Sequence, residues 1–346
     1  MSIFPPGTLL PLQAALIKEG IDENLWYTSA TGQSKYYLKG GWSPVAPGIP
    51  GQDGIICKSV KGMQGPPFTF KDLQASSQDG VTWTETVYDP ANITFALEAH
   101  AATPRGLQAV IDEWGGAWDP RTLGTLEHIT LDGGYWFCNP RLDQTWVDEI
   151  RYDRRYLWRP ITHNIRIDAS FWYGPDSMFV FGPGNGSGFI QLSNIGTQLA
   201  WPRHLCFGPG IFAFGNGPGS TTIITFGPLL EGQIALLSTN PAIPVVDLTP
   251  GQPPPLTPVQ SLVEEIASFA FNGNTPPLVE SFESLFGISP PQGPLDSLIN
   301  GQFTNPIQGV AIPSMAVTQN IAVSISGGNS SSQVISALTP PRISPA

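Results

Sequence analysis

The chain has 346 residues and a formal net charge of −11, and only 12% of its residues are charged. An acidic chain argues against a partner that is mainly nucleic acid, because nucleic acid requires a basic surface. The 38 Gly and 36 Pro indicate either disorder or many short strands joined by tight turns. The 10 Trp, 18 Phe and 8 Tyr supply apolar side chains for packed cores, so composition favours strands and turns.

The charges are unevenly distributed along the sequence. The last lysine is Lys71, and beyond Arg166 the only basic residues are Arg203 and Arg342. A long second half with so few charges would be poorly solvated as a free monomer, so we expect it to be buried against copies of itself or other proteins. A low-charge domain that stays monomeric is the alternative.

Targeting signals and cysteine usage add further expectations. The N-terminal apolar run is interrupted by prolines and has no basic segment before it, so we expect neither a signal peptide nor membrane insertion. The three cysteines lie far apart and match no disulfide or zinc-site spacing, so we expect free buried thiols at Cys57, Cys138 and Cys206.

The first part of the chain is predicted to form strands and one helix. Alternating runs between turn signals predict strands at 55–60, 68–70, 81–88, 93–99, 124–131 and 135–138, with a last β segment at 156–172. Thr103 is a good N-cap, Pro104 suits the first turn, and Gly115 with Gly116 ends the helix. Its apolar stripe should pack across a sheet, and it consists of Leu107, Val110, Ile111 and Trp114. We assign residues 1–174 to a first domain.

A second domain is predicted at residues 175–248. The dipeptide Phe-Gly occurs there four times, at 181, 207, 214 and 226, with short strands between the turns. Such spacing is typical of an all-β sandwich.

The segment 188–208 is the most informative part of this domain. Phe189 and Gln191 alternate with Ile190 and Leu192, which predicts a strand. A break at Asn194 and Gly196 follows, because glycine adopts backbone angles that other residues resist. A second strand is predicted from Trp201 and Pro202 to Cys206. Nothing in this segment indicates catalysis, and we interpret Asn194, Gly196, Trp201 and Pro202 as structural residues of a turn in an outer sandwich.

After Asp247 a proline-rich linker begins, and residues 249–346 are predicted to form a C-terminal arm. Capping-box spacing at Thr257 and the apolar stripe that follows predict a short helix, and a second short helix is predicted at 278–286. A β-like piece at 315–326 precedes a Gly/Ser/Asn tract. We expect the arm to dock on its own domains or on a neighbour.

No catalytic, cofactor-binding or metal-binding residue is predicted. The glycine-rich run at 182–188 has no lysine for a Walker loop and no helix after it, so a β-turn is favoured. The histidines are isolated, and Asp112 and Glu113 are adjacent on the helix, so their side chains diverge. No Gly-x-Ser-x-Gly motif occurs. We therefore expect a protein that is not an enzyme and needs no cofactor.

One basic segment is interleaved with aromatic residues. It could contact nucleic acid by charge and stacking, or form a subunit interface, in which Arg, Tyr and Trp are enriched. The acidic chain favours the interface, which would involve Arg151, Arg154, Arg155, Trp158 and Arg159.

These motifs, in this order, resemble the distal tail (Dit) proteins of long-tailed, siphovirus-type phages. The QDGVTWTE strand, the TPRGLQAVIDEWGGAWDP helix and the strand ending RIDASFWYG resemble the tail-tube-like belt domain. The strand, Asn-x-Gly-Thr break and Trp-Pro strand resemble the galectin-like domain. The piece LINGQFTNPI (298–307) resembles extensions of minor tail proteins in actinobacterial, including mycobacterial, phages. The arm beyond Asp247 departs from the minimal family.

The resemblance implies a mainly β fold, with a belt β-sandwich carrying one helix, a galectin-like β-sandwich and a proline-rich arm with short helices. It implies a structural virion protein at the tail tip, assembled in the host bacterial cytoplasm as a homohexameric ring. The implied partners are the tail tube protein, the tail-associated hub, other minor tail proteins and the tape measure protein. The genome would pass through the lumen without specific binding.

Two other functions remain open on the sequence. A carbohydrate-binding tail-tip module would contact the host envelope through aromatic residues of the second sandwich, namely Trp172, Tyr173, Trp201 and Phe212. A tail-associated hydrolase is the third class, and no constellation of residues supports it.

Overall fold

The computed structural model describes residues 23–39, 53–74, 79–130, 133–145, 147–148, 157–241, 246–248, 302–311 and 315–345. These residues are mainly β, as the sequence predicts, with a single α-helix among them. The chain divides into two compact units, the first comprising residues 1–172 and 342–346 and the second residues 173–341. The two predicted helices after Thr257 lie outside the described residues.

The first unit contains two main sheets, a two-stranded hairpin and the helix. Its elements are β1 (Glu23–Thr28), β2 (Lys35–Lys39), β3 (Gly54–Lys61), β4 (Phe68–Leu73), β5 (Thr82–Tyr88), β6 (Ala91–His100), α1 (Pro104–Gly116), β7 (Thr125–Thr130), β8 (Gly134–Cys138), β9 (Pro140–Leu142), β10 (Val147–Asp148), β11 (Trp158–Ile167) and β12 (Trp172–Tyr173). One sheet has the order β2-β1-β7-β8-β12, continued by β22 (Pro341–Arg342), and the other has the order β10-β11-β6-β3, with β9 also on β11. The hairpin is β4–β5.

Helix α1 begins and packs as its sequence predicts. The Thr103 hydroxyl accepts a 3.0 Å hydrogen bond from the Gly106 amide, which satisfies a backbone donor of the first turn. Leu107, Ile111 and Trp114 are its buried residues.

An aromatic cluster holds the C-terminal end of α1. Tyr27 of β1 stacks on Trp118 with ring centroids 3.7 Å apart, and its hydroxyl donates to the Ala117 carbonyl at 2.9 Å. Trp114 lies 5.3 Å from the His163 ring of β11, between centroids. Because Tyr27 and His163 belong to different sheets, the helix end packs against both. Offset and edge-on aromatic pairs of this kind add to the stabilisation from burial alone.

The second unit is a sandwich of two antiparallel sheets. Its strands are β13 (Ser177–Phe181), β14 (Gly186–Leu192), β15 (Arg203–Phe207), β16 (Gly210–Gly215), β17 (Ile223–Leu229), β18 (Ile234–Ser238), β19 (Val246–Leu248), β20 (Gln319–Ser326) and β21 (Gln333–Leu338). The sheets have the orders β13-β21-β15-β18-β19 and β14-β20-β16-β17. Their facing side chains form one core, with Ile190, Phe212 and Ile321 from one sheet and Cys206, Ala235 and Val334 from the other.

The prediction that residues 249–346 form an arm beyond the second sandwich is wrong for β20 and β21. Strand β20 lies between β14 and β16, and β21 lies between β13 and β15, so both are interior strands of the second sandwich. Phe303 and Ile307 are also buried in its core. The physical reason is that each sheet needs a strand from beyond residue 301. Residues 175–248 alone would leave β14 and β16 without β20 between them.

The segment 188–208 also differs from the expected strand–turn–strand. Phe189 and Gln191 are exposed and Ile190 and Leu192 buried, so the predicted alternation is confirmed. The second strand, however, begins at Arg203, not at Trp201, and the two strands do not pair with each other. Strand β14 belongs to the four-stranded sheet and β15 to the five-stranded one, so the connection passes from one sheet to the other.

Candidate assembly surfaces

The β4–β5 hairpin carries the most prominent exposed apolar surface of the first unit. Its strands pair with each other and form a separate two-stranded sheet. Phe68, Phe70 and Trp83 are 55%, 56% and 62% exposed. Large exposed apolar patches on soluble proteins usually mark interaction sites.

The pairing register separates the hairpin into two chemically different faces. Phe68 lies opposite Tyr88 and Phe70 opposite Thr86. A bulge after Lys71 then brings Trp83 opposite Asp72, and the Trp83 indole N–H donates to the Thr86 hydroxyl at 3.1 Å, so the aromatic residues share one face. The Phe68 ring lies 5.2 Å from Phe70 and 6.3 Å from Tyr88, between centroids. We call this the aromatic face, defined by Phe68, Phe70, Trp83 and Tyr88.

The opposite face of the hairpin, which we call the polar face, carries a pair of charged residues beside the exposed Leu73. Lys71 lies opposite Glu85, and their side chains form an ion pair with a 2.8 Å separation. At the base, Tyr88 packs edge-on against Phe171 at 5.2 Å. An isolated two-stranded hairpin is marginal in water, so a partner covering the aromatic face would stabilise it.

The predicted basic interface is only partly within the described structure. Arg151, Arg154 and Arg155 lie outside the described residues. Trp158 begins β11, opposite His100, and its side chain is exposed, whereas Arg159 is half-buried. An interface through these residues stays a prediction.

Asn194 organises the connection between β14 and β15. Its buried amide nitrogen donates to the carbonyl of Gln198 at 2.8 Å and to that of Ile307 at 3.1 Å, and its Oδ1 accepts from the Gly196 amide at 2.9 Å. Ala200 and Ile307 also exchange both backbone hydrogen bonds. The connection is therefore tied to residues more than a hundred positions later.

Gly196 and Pro202 are both held by close contacts of their backbone. A Cβ on Gly196 would lie 2.1 Å from the Pro341 carbonyl oxygen, so the close approach excludes any side chain. The Pro202 carbonyl accepts from both the amide and the hydroxyl of Thr239, at 3.1 and 2.8 Å. Trp201 is half-buried and packs against the core of the second sandwich. These contacts are structural, and a role of the four residues in an outer sandwich stays a prediction.

The aromatic residues considered for sugar stacking are mostly unsuited to it. Trp172 and Phe212 are 2% and 0% exposed, so neither offers a ring face to a ligand. Tyr173 and Trp201 are half-buried. The sequence could not distinguish these from exposed rings, because Trp and Phe occupy both cores and binding surfaces.

Buried ionisable groups have structural partners. His204 stacks on Phe214 with centroids 4.4 Å apart, its Nδ1 lies 2.8 Å from the Ser336 hydroxyl, and burial lowers its pKa to about 3. Glu127 accepts from the Tyr135 hydroxyl at 3.0 Å and lies 3.4 Å from the Lys35 ammonium, while burial raises its pKa.

The described residues contain neither a disulfide bond nor a cluster of metal ligands. Cys57, Cys138 and Cys206 are free and buried, as predicted, and burial raises the pKa of each thiol. Within the described ranges, no group of three or more His, Cys, Asp or Glu could hold a metal ion. Nor does the described part of the chain contain a helix with the length and apolarity needed to span a membrane.

The similarity of this chain to known proteins lies in its structure. No family model and no curated protein matches the sequence. The Dit protein of phage SPP1, a structure described as a paradigm of the hub adsorption apparatus in phages infecting Gram-positive bacteria, is similar to this chain with a TM-score of 0.51. The match covers 92% of this chain and 98% of that one, at 10% sequence identity. The chain has a Dit-like fold.

Two structures of the phage p2 baseplate in its activated conformation are also similar. With calcium, the match has a TM-score of 0.47 and covers 92% of this chain and 98% of that one. With strontium, the score is 0.46 and the coverage 91% and 97%. Both are 10% identical in sequence, and the assignment of the Dit-like fold does not depend on them. A relationship to actinobacterial phages stays a prediction.

Proposed function

We propose that this protein is a distal tail protein: a structural component of a phage virion that forms a ring between the tail tube and the tail-tip hub. The likeness to SPP1 Dit over nearly the whole chain supports a tail role. The observation that carries self-assembly is the aromatic face of the hairpin, because a surface of this composition is typical of protein interfaces. The protein acts by assembly, without catalysis or a cofactor.

The ring would contain six copies of the chain around a central channel, and the second unit would be the galectin-like domain. Its axial neighbours would be the tail tube protein on one side and the hub with other minor tail proteins on the other. The tape measure protein and the genome would pass through the lumen. An acidic lumen wall, drawn from a chain of net charge −11, would let DNA slide without binding. The ring would be assembled in the host cytoplasm and reside at the virion tail tip.

The test is oligomer formation by the purified full chain. We expect concentration-dependent rings with six-fold class averages in electron microscopy, and a matching mass by light scattering. Phe70→Ser combined with Trp83→Ser should abolish the rings, because both changes remove the aromatic face.

The matched control is Lys71→Ala combined with Glu85→Ala, which alters the polar face of the same hairpin. This control should still form rings. A wild-type protein that stays monomeric at high concentration, or a control that disassembles as fully as the aromatic variant, would contradict the proposal.

A further inference from the structure

The outward face of the four-stranded sheet carries no charged side chain among its described strands. Residues that alternate with the buried core positions point outward from the sandwich. They are Ser187, Phe189 and Gln191 of β14, Asn320, Ala322, Ser324 and Ser326 of β20, Ile211 and Ala213 of β16, and Ile223 and Thr225 of β17. Gly215 of β16 lies on the same face but is buried, as the floor between larger neighbours. We call this surface the uncharged face.

Strand pairing aligns a row of residues across the uncharged face. Phe189 lies opposite Ala322, and Gly215 lies opposite Ile223. A Cβ on Gly215 would lie 3.5 Å from the Cβ of Ala322, so the two small residues are neighbours. Two large side chains on the outer strands thus flank two small ones on the inner strands.

This arrangement forms a shallow trough along β20 and β16. Phe189, 59% exposed, forms one wall and Ile223, 51% exposed, the other. With about 4.8 Å between neighbouring strands, the walls lie roughly 14 Å apart. A trough of this width along the strand direction suits an extended chain of rings.

The groups around the trough are neutral hydrogen-bonding groups. Gln191 lies opposite Asn320 beside Phe189, and Ser187 lies opposite Ser324 on its other side. Amides and hydroxyls each donate and accept hydrogen bonds, so they match a ligand rich in hydroxyl groups. The exposed Phe189 ring supplies a flat apolar surface for the C–H face of a sugar ring.

The charge of the second unit excludes anionic polymers as the ligand. The sequence from 173 to 341 contains one basic residue, Arg203. Arg203 is 8% exposed, and its guanidinium donates to the Thr339 hydroxyl. A polyphosphate, nucleic acid or anionic lipid surface needs exposed cations, which this unit does not present.

The composition of the uncharged face also argues against a protein partner. Protein interfaces are enriched in Trp, Tyr, Phe, Met and Arg and depleted in Ser and Ala. Phe189 is the one residue of the uncharged face that belongs to the enriched group. The aromatic face of the β4–β5 hairpin fits that description, whereas the uncharged face is built chiefly from Ser, Ala, Gly and amide residues. The two surfaces therefore have different partners.

We propose that the trough on the uncharged face is a binding site for a neutral polysaccharide, with Phe189 stacking on a sugar ring and Gln191 and Asn320 binding its hydroxyl groups. The site is separate from the surface proposed for ring formation and does not depend on it. A neutral cell-surface glycan bound there would hold the protein against a host envelope.

The experiment uses the full-length protein on an array of neutral and acidic glycans, followed by gel electrophoresis in the presence of the best neutral glycan. We expect binding to neutral glycans alone. Phe189→Ala should weaken binding about tenfold, the effect of one lost aromatic contact. Gln191→Ala should weaken it less.

Leu230→Ala is the matched control, because Leu230 is 66% exposed in the same unit but lies outside the uncharged face. It should bind like the wild type. Circular dichroism should show that all three variants are folded, as expected for exposed positions.

Three results would overturn the proposal: no neutral glycan bound on the array, stronger binding to acidic glycans, or unchanged binding by Phe189→Ala. Loss of self-association in Phe189→Ala, without any glycan bound by the wild type, would instead assign the uncharged face to a protein interface. Ring formation measured in parallel keeps this outcome distinct from failure of the assembly proposal.

Discussion

The side-chain amide of Asn194 donates a hydrogen bond to the carbonyl of Ile307, which is 113 positions later in the chain. The same amide group also holds Gln198 and Gly196, so one buried side chain satisfies three backbone groups. The turn after β14 is therefore stable only when the segment around Ile307 is in place.

Asn194→Ala should destabilise the second unit by about 2 kcal/mol, because the Gln198 carbonyl and the Gly196 amide lose their partner while the Ile307 carbonyl keeps the Ala200 amide. Hydrogen exchange measured by mass spectrometry should show faster exchange in peptides covering 194–202 and 302–311. Gln308→Ala, an exposed amide beside Ile307, is the control and should leave exchange unchanged. Equal exchange in both variants would show that the Asn194 bonds contribute little.

Gly196→Ala should be at least as damaging, at about 3 kcal/mol or more, because its Cβ would overlap the Pro341 backbone. Calorimetry of the full-length protein should show a lower unfolding temperature. Gly186→Ala is matched to it, since a Cβ there would meet only the Phe181 ring at 4.0 Å. If Gly196→Ala unfolded at the same temperature as the wild type, the close contact between residue 196 and the Pro341 backbone would be contradicted.

The protein should lose stability as pH falls below about 6.5, because burial lowers the pKa of His163 and His204 to about 3 in the folded state. Between these pKa values the unfolded chain binds more protons, so acid favours unfolding. Each histidine should cost about 2 kcal/mol at pH 5 relative to pH 7.

Urea unfolding at both pH values measures this loss. His204→Gln should reduce it, because the variant retains an amide near Ser336 but has no group that titrates. A wild-type stability that does not change between pH 7 and pH 5 would contradict the prediction.

Thr103→Ala should destabilise the first unit by about 1 kcal/mol through loss of the N-cap hydrogen bond to Gly106. Thr103→Ser keeps a hydroxyl and should retain most of the stability. The comparison is made by chemical denaturation, and equal losses in the two variants would assign the effect to the methyl group instead of the cap.

Local features were predictable from the sequence, but the pairing of strands was not. The Thr103 cap and the alternation of Phe189 with Ile190 depend on residues a few positions apart, so the sequence contains the full signal. Alternation gives the face of a strand but not its neighbour, so nothing near β14 indicated that β20 lies beside it. The proline-rich stretch after Leu248 suggested the end of a domain, although the second sandwich continues beyond it.

The exposed surfaces were only partly predictable. The sequence places Trp83 in a predicted strand, but only the structure shows that pairing with β4 alone leaves it on an open face. Phe189 was recognised as alternating, yet the trough also depends on Ala322 and Gly215 from two other strands. Binding surfaces built by three strands are properties of the fold, and no single segment encodes them.

The interior positions of β20 and β21 set the order of events during synthesis. A ribosome must translate β20 and β21 before the two sheets of the second unit can be completed, whereas all main elements of the first unit except β22 emerge earlier. Long-range pairing of this kind is slow to form. Nascent chains would thus expose an unfinished sandwich until β21 has been synthesised, and premature stop codons between residues 174 and 338 would yield products in which the second unit is incomplete and open to proteolysis.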